Sequence, residues 1–158
     1  CQMALEQKER ALLNALQKDA RISNAQLAET TSMSETSCWR KVRSMEQVGI
    51  IQRYAAIVDP KKLGLNFEAV VQINLDRHNE AAVEALVDLL LRCDEVIDCL
   101  ATTGDFDFLI RVVCPDIEAY NSFMEQHLFS NRGVRSMRTN VVLKRIKSAA
   151  PLVAAGEF

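Results

Sequence analysis

The feature that most constrains the fold is the order of hydrophobic patterns in the second half of the chain. Four β-prone segments occur there, at 67–75, 96–102, 106–113 and 134–146. Two segments between them repeat apolar residues every three or four positions, as helices do, at 79–92 and 115–129. Pro115 is expected in the first turn of the second helix, a position that proline favours. The order predicts a ferredoxin-like βαββαβ domain.

In this arrangement both helices cover one face of a four-stranded antiparallel sheet. The other face is left without a covering layer, and antiparallel sheets commonly bury only one face within their own chain. Such a free face packs well against a second sheet. We therefore expect the protein to form a homodimer.

The first half carries three helical patterns of a different kind. Their expected bounds are 5–18, 24–30 and 35–48. Ser23 and Gln26 form a capping-box pattern before the second helix, and Ser34 is a good N-cap for the third. Gly49 closes the third helix at its C′ position. Short helices joined by a tight turn predict a helix-turn-helix.

The third helix is expected to bury a stripe of apolar residues, namely Cys38, Val42, Met45 and Val48. Its charged side chains lie off that stripe. The net charge of the chain is -2, which is unusual for a nucleic-acid binder, but the distribution matters more than the sum. Within 36–53 four basic residues stand against Glu46 alone.

A basic second helix of a helix-turn-helix fits the major groove of double-stranded DNA. Residues near its N-terminus meet base edges, and the candidates are Glu35, Thr36, Ser37, Trp39 and Arg40. Lys41 and Arg43 are assigned to phosphates, which set affinity and register. The alternative is an ordinary solvated surface helix, with Trp39 as a partly buried core residue.

The chain is thus expected to be an α+β protein with a winged-type helix-turn-helix before the ferredoxin-like domain. The segment 50–58 is β-prone and supplies either a wing or an isolated strand. Asp59 and Pro60 stop it, and Lys61 to Gly64 read as a linker. The expected divisions are 1–60, 61–150 and a tail at 151–158.

Composition excludes several classes of protein. No stretch of about 18 uncharged apolar residues is present, and early charges interrupt any signal peptide, so a cytoplasmic protein without membrane contact is expected. The chain has five cysteines, without CxxC spacing, which disfavours a disulfide framework or a zinc site. Cys38, Cys93, Cys99 and Cys114 are expected to be small buried hydrophobes.

Five segments, in their order and spacing, resemble the Lrp/AsnC (feast/famine) family of transcriptional regulators. They are LLNALQKDARISNAQLA (12–28), SMSETSCWRKVRSMEQVGII (32–51), YAAIVDPKKLG (54–64), TTGDFDFLIRV (102–112) and RTNVVLKRIK (138–147). The resemblance implies a DNA-binding regulator whose second domain binds a small amino-acid effector and oligomerises. It implies dimers paired through their sheets and through the strand after the helix-turn-helix, often assembled into octamers.

The same resemblance implies an effector site. Its residues would be Gly104, Asp105, Phe106, Asp107, Thr139 and Asn140. A zwitterion needs a carboxylate for its ammonium, from Asp105 or Asp107, and backbone N–H groups for its own carboxylate. Without the resemblance, Gly104 and Asp105 read as an ordinary hairpin turn. Asn140, Glu35 and Ser37 depart from residues common in the family, so neither the effector nor the operator sequence follows.

Two other functions compete with this one. A DNA-compacting architectural protein would bind DNA without a small ligand. A small ferredoxin-like enzyme would need catalytic groups, but His78 and His127 lack metal-ligand spacing, and no phosphate loop or nucleophile motif occurs. Asp105 and Asp107 alone are weak evidence for acid–base catalysis. No cofactor or metal is expected.

Overall fold

The computed structural model describes residues 5–76 and 78–153. It divides into two compact units. The first comprises the residues up to Ile57 together with those from Lys147 onward, and the second is Val58–Ile146. The ends of the expected first domain and of the expected tail, residues 1–4 and 154–158, lie outside the described residues.

The first unit contains three helices around a small apolar core. They are α1 (Gln7–Lys18), α2 (Asn24–Thr31) and α3 (Glu35–Gln47). The buried centre of the unit is formed by Leu12, Leu27, Cys38 and Met45. One side chain from α1, one from α2 and two from α3 therefore meet, which fixes the outer side of α3 as the side away from this centre.

Capping residues set the bounds of these helices, as predicted. Ser23 Oγ accepts the N–H of Gln26 at 3.2 Å, and the Gln26 side chain accepts the N–H of Ser23 at 3.0 Å. Ser34 Oγ accepts the N–H of Ser37. Gly49 ends the third helix with φ of +77°, a conformation that glycine adopts without a steric cost.

Two details of this unit differ from the expectation. Val48 was expected in the buried stripe of α3, but its side chain is 55% exposed, since the helix has already ended at Gln47. Thr31 was expected in a break between helices, yet it is the last residue of α2 and is buried. Its hydroxyl donates to the carbonyl of Leu27 at 2.7 Å, which satisfies the buried polar group.

The segment after α3 forms neither a strand nor a wing hairpin in the part of the chain that the structure describes. Residues 52–59 carry no regular secondary structure and are exposed, with Ile57 at 79%. The expected linker instead contains a 3-10 helix, Pro60–Leu63, which Asp59 caps by accepting the N–H of Lys61 at 3.0 Å. The β-prone residues have no partner strand within this chain's described residues.

The second unit has the predicted βαββαβ order. Its elements are β1 (Phe67–Leu75), α4 (Glu80–Arg92), β2 (Val96–Ala101), β3 (Phe108–Cys114), α5 (Ile117–His127) and β4 (Val134–Val141). The sheet order is β2-β3-β1-β4, and every neighbouring pair is antiparallel. The expected ferredoxin-like plan is thereby confirmed.

One face of the sheet carries the core. Ala69, Val71 and Ile73 of β1 are fully buried, with Ile110 and Val112 of β3. The buried residues of α4 and α5 complete this cluster, and they are Leu86, Leu90, Tyr120, Phe123 and Met124. Because side chains alternate between faces along a strand, the intervening residues of β1 and β3 lie on the opposite face.

Several bounds in this unit were predicted wrongly. Pro115 does not lie in the first turn of α5, because Asp116 is the N-cap and accepts the N–H of Ala119 at 2.8 Å. The third strand begins at Phe108 rather than 106, and the last ends at Val141 rather than 146. The paired register with β1 ends at Val141 and Ala69, and one further backbone bond follows it, from the N–H of Val142 to the carbonyl of Glu68 at 2.9 Å.

The cysteines are only partly the buried hydrophobes that were expected. Cys38 and Cys114 are buried and Cys93 is half-buried, whereas Cys99, on the edge strand β2, is exposed. Burial raises the pKa of the Cys93 and Cys114 thiols. Within residues 5–76 and 78–153, no helix has the length and apolar character needed to cross a membrane.

Candidate DNA-binding and effector sites

The predicted DNA-contacting residues divide by their position around α3. A helix turns once in about 3.6 residues, so Thr36, Arg40 and Arg43 share the side opposite Cys38 and Met45. All three are exposed. Trp39 lies at the edge of this side and is 56% exposed, which contradicts the alternative of a partial core residue. We call Thr36, Arg40 and Arg43 the outer stripe.

Glu35 lies at the first position of α3 and is exposed. Ser37 is half-buried, and its N–H is used by the cap, Ser34. Gln47, one turn after Arg43 on the same side, is also exposed. Sequence reasoning did not single out Gln47, although its spacing from Arg43 and Arg40 would have placed it on the outer stripe's side.

Lys41 occupies a different environment from Arg40 and Arg43. Its Nζ lies 2.9 Å from Glu6 Oε2 and 3.1 Å from Glu9 Oε1. Both carboxylates belong to the start of α1, where Glu6 is the N-cap. The ammonium group expected to meet phosphate thus joins α3 to α1 in this structure.

The pKa values in this cluster follow its contacts. The backbone N–H of Glu6, and then the hydrogen bond from Lys41, hold the pKa of Glu9 below its usual value of 4.5, against an opposing effect of burial. The hydrogen bonds to Glu6 and Glu9 raise the pKa of Lys41 above 10.5. Both groups are therefore charged near neutral pH, which supports the ion pairs.

A second carboxylate, Glu46, contacts the outer stripe. Its Oε2 lies 3.4 Å from Arg43 Nη1, and its Oε1 accepts the hydroxyl of Tyr54 at 3.0 Å. Burial, followed by the hydrogen bond with Glu46, raises the pKa of Tyr54. Sequence reasoning noted Glu46 only as a lone acid among bases, since no pattern relates it to Tyr54.

The predicted effector residues of the β2–β3 connection form an ordered loop, 102–107. The N–H of Thr102 donates to the carbonyl of Asp107 at 2.8 Å, and its hydroxyl donates to the carbonyl of Phe106 at 2.6 Å. Gly104 has φ of +112°, in the region that favours glycine. Gly104 and Asp105 are exposed at the tip.

Asp107 is tied to the neighbouring strand. Its Oδ2 accepts the N–H of Leu75 at 2.9 Å, and its own N–H donates to the carbonyl of Ile73 at 3.0 Å. The paired register of β1 and β3 ends at Ile73 and Phe108. The two bonds of Asp107 extend the contact between these strands by one residue beyond that pair. Asp107 is thus a structural residue of the loop, and Asp105 carries the exposed carboxylate.

The two remaining predicted effector residues, Thr139 and Asn140, lie on opposite faces of the sheet. Thr139 pairs with Val71 in the sheet and its Oγ1 lies 2.7 Å from the hydroxyl of Tyr120 on α5. Asn140, the next residue of β4, therefore lies on the opposite face. Burial is the main cause that raises the pKa of Tyr120. Tyr120 had not been singled out, since its partner lies 19 residues away.

Phe106 is half-buried, and the guanidinium carbon of Arg138 lies 5.8 Å from the centre of its ring. This is a cation–π distance. Arg138 and Asn140 both lie on the free face of β4. In the pairing with β1, Arg138 is opposite Gln72 and Asn140 is opposite Val70. The loop 102–107 and the free face of β4 are therefore joined through this pair.

A surface cavity of about 630 Å³ lies elsewhere in the second unit. Its lining residues are Ala85, Leu89, Arg92, Cys93, Asp94, Glu95 and His127. Its lining contains none of the predicted effector residues. Among the described residues, no group of three or more histidines, cysteines or carboxylates is arranged to hold a metal ion.

Residues 68–152, more than half of the chain, match the family model described as the Lrp/AsnC ligand binding domain. The chain belongs to the Lrp/AsnC family. Residues 5–52 match the model described as winged helix-turn-helix DNA-binding. This Lrp/AsnC protein is therefore a DNA-binding transcriptional regulator with a ligand-binding domain.

Curated relatives agree with this assignment. The leucine-responsive regulatory proteins of Escherichia coli strain K12 and of Klebsiella pneumoniae are each 35% identical to this regulator over 149 residues, covering 94% of this chain and 91% of theirs. These relatives are named as regulators and not as enzymes. The predicted family resemblance is confirmed.

Solved structures also match. A transcriptional regulator from Neisseria meningitidis, in complex with L-methionine, has a TM-score of 0.89 at 29% identity, over 94% of this chain and 96% of that one. An AsnC family transcriptional regulator from Agrobacterium tumefaciens has a TM-score of 0.86 at 30% identity, over the same shares. The expected architecture, a winged-type helix-turn-helix domain followed by a ferredoxin-like domain, is confirmed by these matches, although no wing hairpin forms among the described residues after α3.

Proposed function

We propose that this regulator binds specific DNA sequences through the outer stripe of α3 and changes its affinity or assembly when an amino acid binds. The single observation that carries the proposal is the outer stripe itself. Two guanidinium groups and a hydroxyl lie exposed on the side of α3 opposite the core. A relative named as leucine-responsive and a neighbour solved with L-methionine support an amino-acid effector.

The DNA contacts divide by chemistry. Thr36 and Arg40, with Glu35 and Trp39 beside them, lie on the first turns of α3 and suit base edges, since recognition helices meet bases near their N-termini. Arg43 lies a turn further on and suits a phosphate. Lys41 serves the fold of the unit, because its ammonium group is paired with Glu6 and Glu9. Ser37 is half-buried and is left out of the base contacts.

The effector site is centred on the loop 102–107. A zwitterionic amino acid carries an ammonium group that Asp105 binds through its exposed carboxylate. Gly104 exposes backbone at the tip, which suits the ligand's carboxylate. Asp107 holds the loop to β1, and Thr139 with Tyr120 holds β4 to α5. Asn140 and Arg138 lie on the sheet's free face near the same loop.

A second copy of the chain completes the effector site. The loop tip is exposed, so one chain alone encloses little of a ligand there, whereas small-molecule sites bury most of the ligand. The free face of the sheet and the extended residues 52–58 are the surfaces that pair two chains. Dimers assemble further, with an octamer as the expected form, and the protein acts in the cytoplasm.

The test is fluorescence anisotropy of a labelled duplex taken from upstream of this protein's own gene, with a scrambled duplex as control. Binding should be tighter to the upstream duplex and should weaken from low to high salt, as counterion release requires. A mixture of the twenty amino acids should shift the titration. Equal binding to both duplexes would contradict sequence specificity, and an unshifted titration would favour a ligand-independent architectural protein.

A further inference from the structure

Glu46 lies between two groups with different roles. Arg43 belongs to the outer stripe of α3, and Tyr54 belongs to the segment that leaves α3 and leads towards the second unit. Each oxygen of the Glu46 carboxylate contacts one of them, Oε2 with Arg43 Nη1 at 3.4 Å and Oε1 with the Tyr54 hydroxyl at 3.0 Å. Both pairs lie within the first unit.

The two contacts differ in strength. The Tyr54 hydroxyl donates to a charged acceptor at 3.0 Å, within hydrogen-bond range although long for a bond between a hydroxyl and a carboxylate. The Arg43 pair is longer and single-pronged, and the Arg43 side chain is 60% exposed. The Glu46 side chain is 30% exposed, so water screens it less than it screens Arg43. Tyr54 therefore holds the carboxylate better than Arg43 does.

Tyr54 lies in a segment without regular structure. Residues 52–59 form neither helix nor strand, and the Tyr54 side chain is 49% exposed. Residues 52–58 all belong to the described part of the chain, and among their side-chain hydrogen bonds the one from Tyr54 to Glu46 reaches α3. A change in the path of this segment would therefore alter the contacts of the Glu46 carboxylate on α3.

We propose that Glu46 is a positioning residue that couples the segment 52–58 to the DNA contact of Arg43. With Tyr54 bound, one carboxylate oxygen is occupied and Arg43 is held at one point, free to turn to a phosphate. With Tyr54 withdrawn, both oxygens face the guanidinium, which they bind in the two-pronged manner that arginine favours. Arg43 is then lost to DNA. This proposal rests on the proposed contact between Arg43 and a phosphate.

The test is a mutant cycle in the full chain, read by anisotropy with the upstream duplex over a range of salt. Tyr54→Phe should weaken DNA binding about two- to fivefold, the range expected of an exposed charge pair. Glu46→Gln should strengthen it by a similar factor, because a neutral amide neither holds Arg43 nor repels a phosphate. In the Glu46→Gln background, Tyr54→Phe should have no further effect.

Arg43→Ala decides whether the effects pass through Arg43. In that background Tyr54→Phe should leave the affinity unchanged, and Glu46→Gln should keep only the small general gain that comes from removing a negative charge. Glu29→Gln, an exposed acid on α2, removes the same charge from the same unit, and its small general gain should persist without Arg43. Thermal melting followed by circular dichroism checks that each variant is folded. If Tyr54→Phe does not fold, the comparison of Glu46→Gln with and without Arg43 still tests the proposal.

Two failures are distinguishable. If Glu46→Gln gives the same gain with and without Arg43, or if Tyr54→Phe weakens binding equally in both Glu46 backgrounds, the coupling is wrong while the Arg43 contact stands. If Arg43→Ala alone changes neither the affinity nor the salt slope, the proposed DNA contact of Arg43 is wrong, and the coupling falls with it.

Discussion

At the scale of single residues, the residues of α3 proposed to contact DNA differ in position from Lys41, which pairs with carboxylates at the start of α1. Periodicity alone placed Arg40 and Arg43 on the outer side, since three- and four-residue spacing defines a helix face. It could not place Lys41, because the two partners of Lys41 lie 32 and 35 residues away on α1. The same limit hid the contact between Glu46 and Tyr54, which depends on the path of the chain after α3.

Lys41→Met should lower the stability of the protein and leave DNA binding nearly unchanged. It removes the ammonium that joins α3 to Glu6 and Glu9, at a cost of about 0.5 kcal/mol for a partly exposed pair. Urea denaturation measures the loss. The matched variant Arg40→Met should do the opposite, with intact stability and weaker binding. If the two variants lost the same DNA affinity and neither lost stability, Lys41 would be a DNA-contacting residue and this account of it would be wrong.

The lowered pKa of Glu9 predicts a pH dependence with a definite sign. A carboxyl whose pKa falls on folding stabilises the protein above its ordinary value, 4.5 here, and loses that contribution as the pH falls through the folded value. Glu9→Gln keeps the capping hydrogen bond without the charge. It should be less stable than the wild type by about 0.5 kcal/mol at neutral pH, with the difference shrinking below pH 4.5.

Melting temperatures of the two proteins across acidic and neutral pH test this. Because every other carboxyl is shared, only the difference between the two curves reports Glu9. A difference that stays constant from neutral pH to well below pH 4.5 would show that the Glu9 charge contributes nothing.

At the scale of elements, the sequence predicted the order of helices and strands better than their ends. The bounds of β1 were predicted without error, since its period-two pattern is bordered by polar residues on both sides. The end of β4 was missed by five residues, because its ladder depends on where β1 begins. The start of α5 was missed because Pro115 and Asp116 both suit a helix start, and Asp116 caps it.

Among the predicted effector residues, too, features set by local sequence were predicted and features set by strand pairing were not. The turn at Gly104 and Asp105 was predicted, since a glycine with positive φ is a local requirement. The opposite orientations of Thr139 and Asn140 follow from any strand at that position. The role of Asp107 as a partner of Leu75 could not be predicted, because it depends on how β1 and β3 are paired.

Gly133 links β4 to α4 by close contact. A Cβ atom added there would lie 2.6 Å from the carbonyl oxygen of Ala82, which is backbone and cannot move aside easily. Gly133→Ala should therefore destabilise the protein by about 1–3 kcal/mol, as overpacking does. Arg135→Ala, two residues on and exposed, is the control. Equal denaturation midpoints for the two variants would contradict the close contact.

At the scale of the whole molecule, the exposed apolar residues indicate where the proposed second chain would bind. Leu100 on the free face of the sheet is 55% exposed, and Ile57, in the segment after α3, is 79% exposed. Exposed apolar groups on a face that has no covering layer are typical of interfaces. No pattern in one sequence reports the number of copies, so the octamer remains a prediction.

Leu100→Glu should shift the assembly towards smaller species. Burying the introduced carboxylate in a sheet-to-sheet contact is costly without a partner charge. Sedimentation velocity measures the change in mass. Leu91→Glu on α4, where the side chain is 75% exposed, places the same charge on a helix and should leave the assembly unchanged. Identical masses for both variants would contradict pairing through the free face.

The most direct test of the central claim is a crossed measurement on two variants of the full chain. DNA affinity, and its shift on adding the amino-acid mixture, are measured by anisotropy for Arg40→Ala and Asp105→Asn. Arg40→Ala should bind the upstream duplex at least tenfold more weakly, the loss of about 1.4 kcal/mol expected of a base contact. Asp105→Asn should bind DNA as the wild type does and lose the response to amino acids. If each variant is folded and both lose both properties, DNA binding and effector binding are not carried by separate sites.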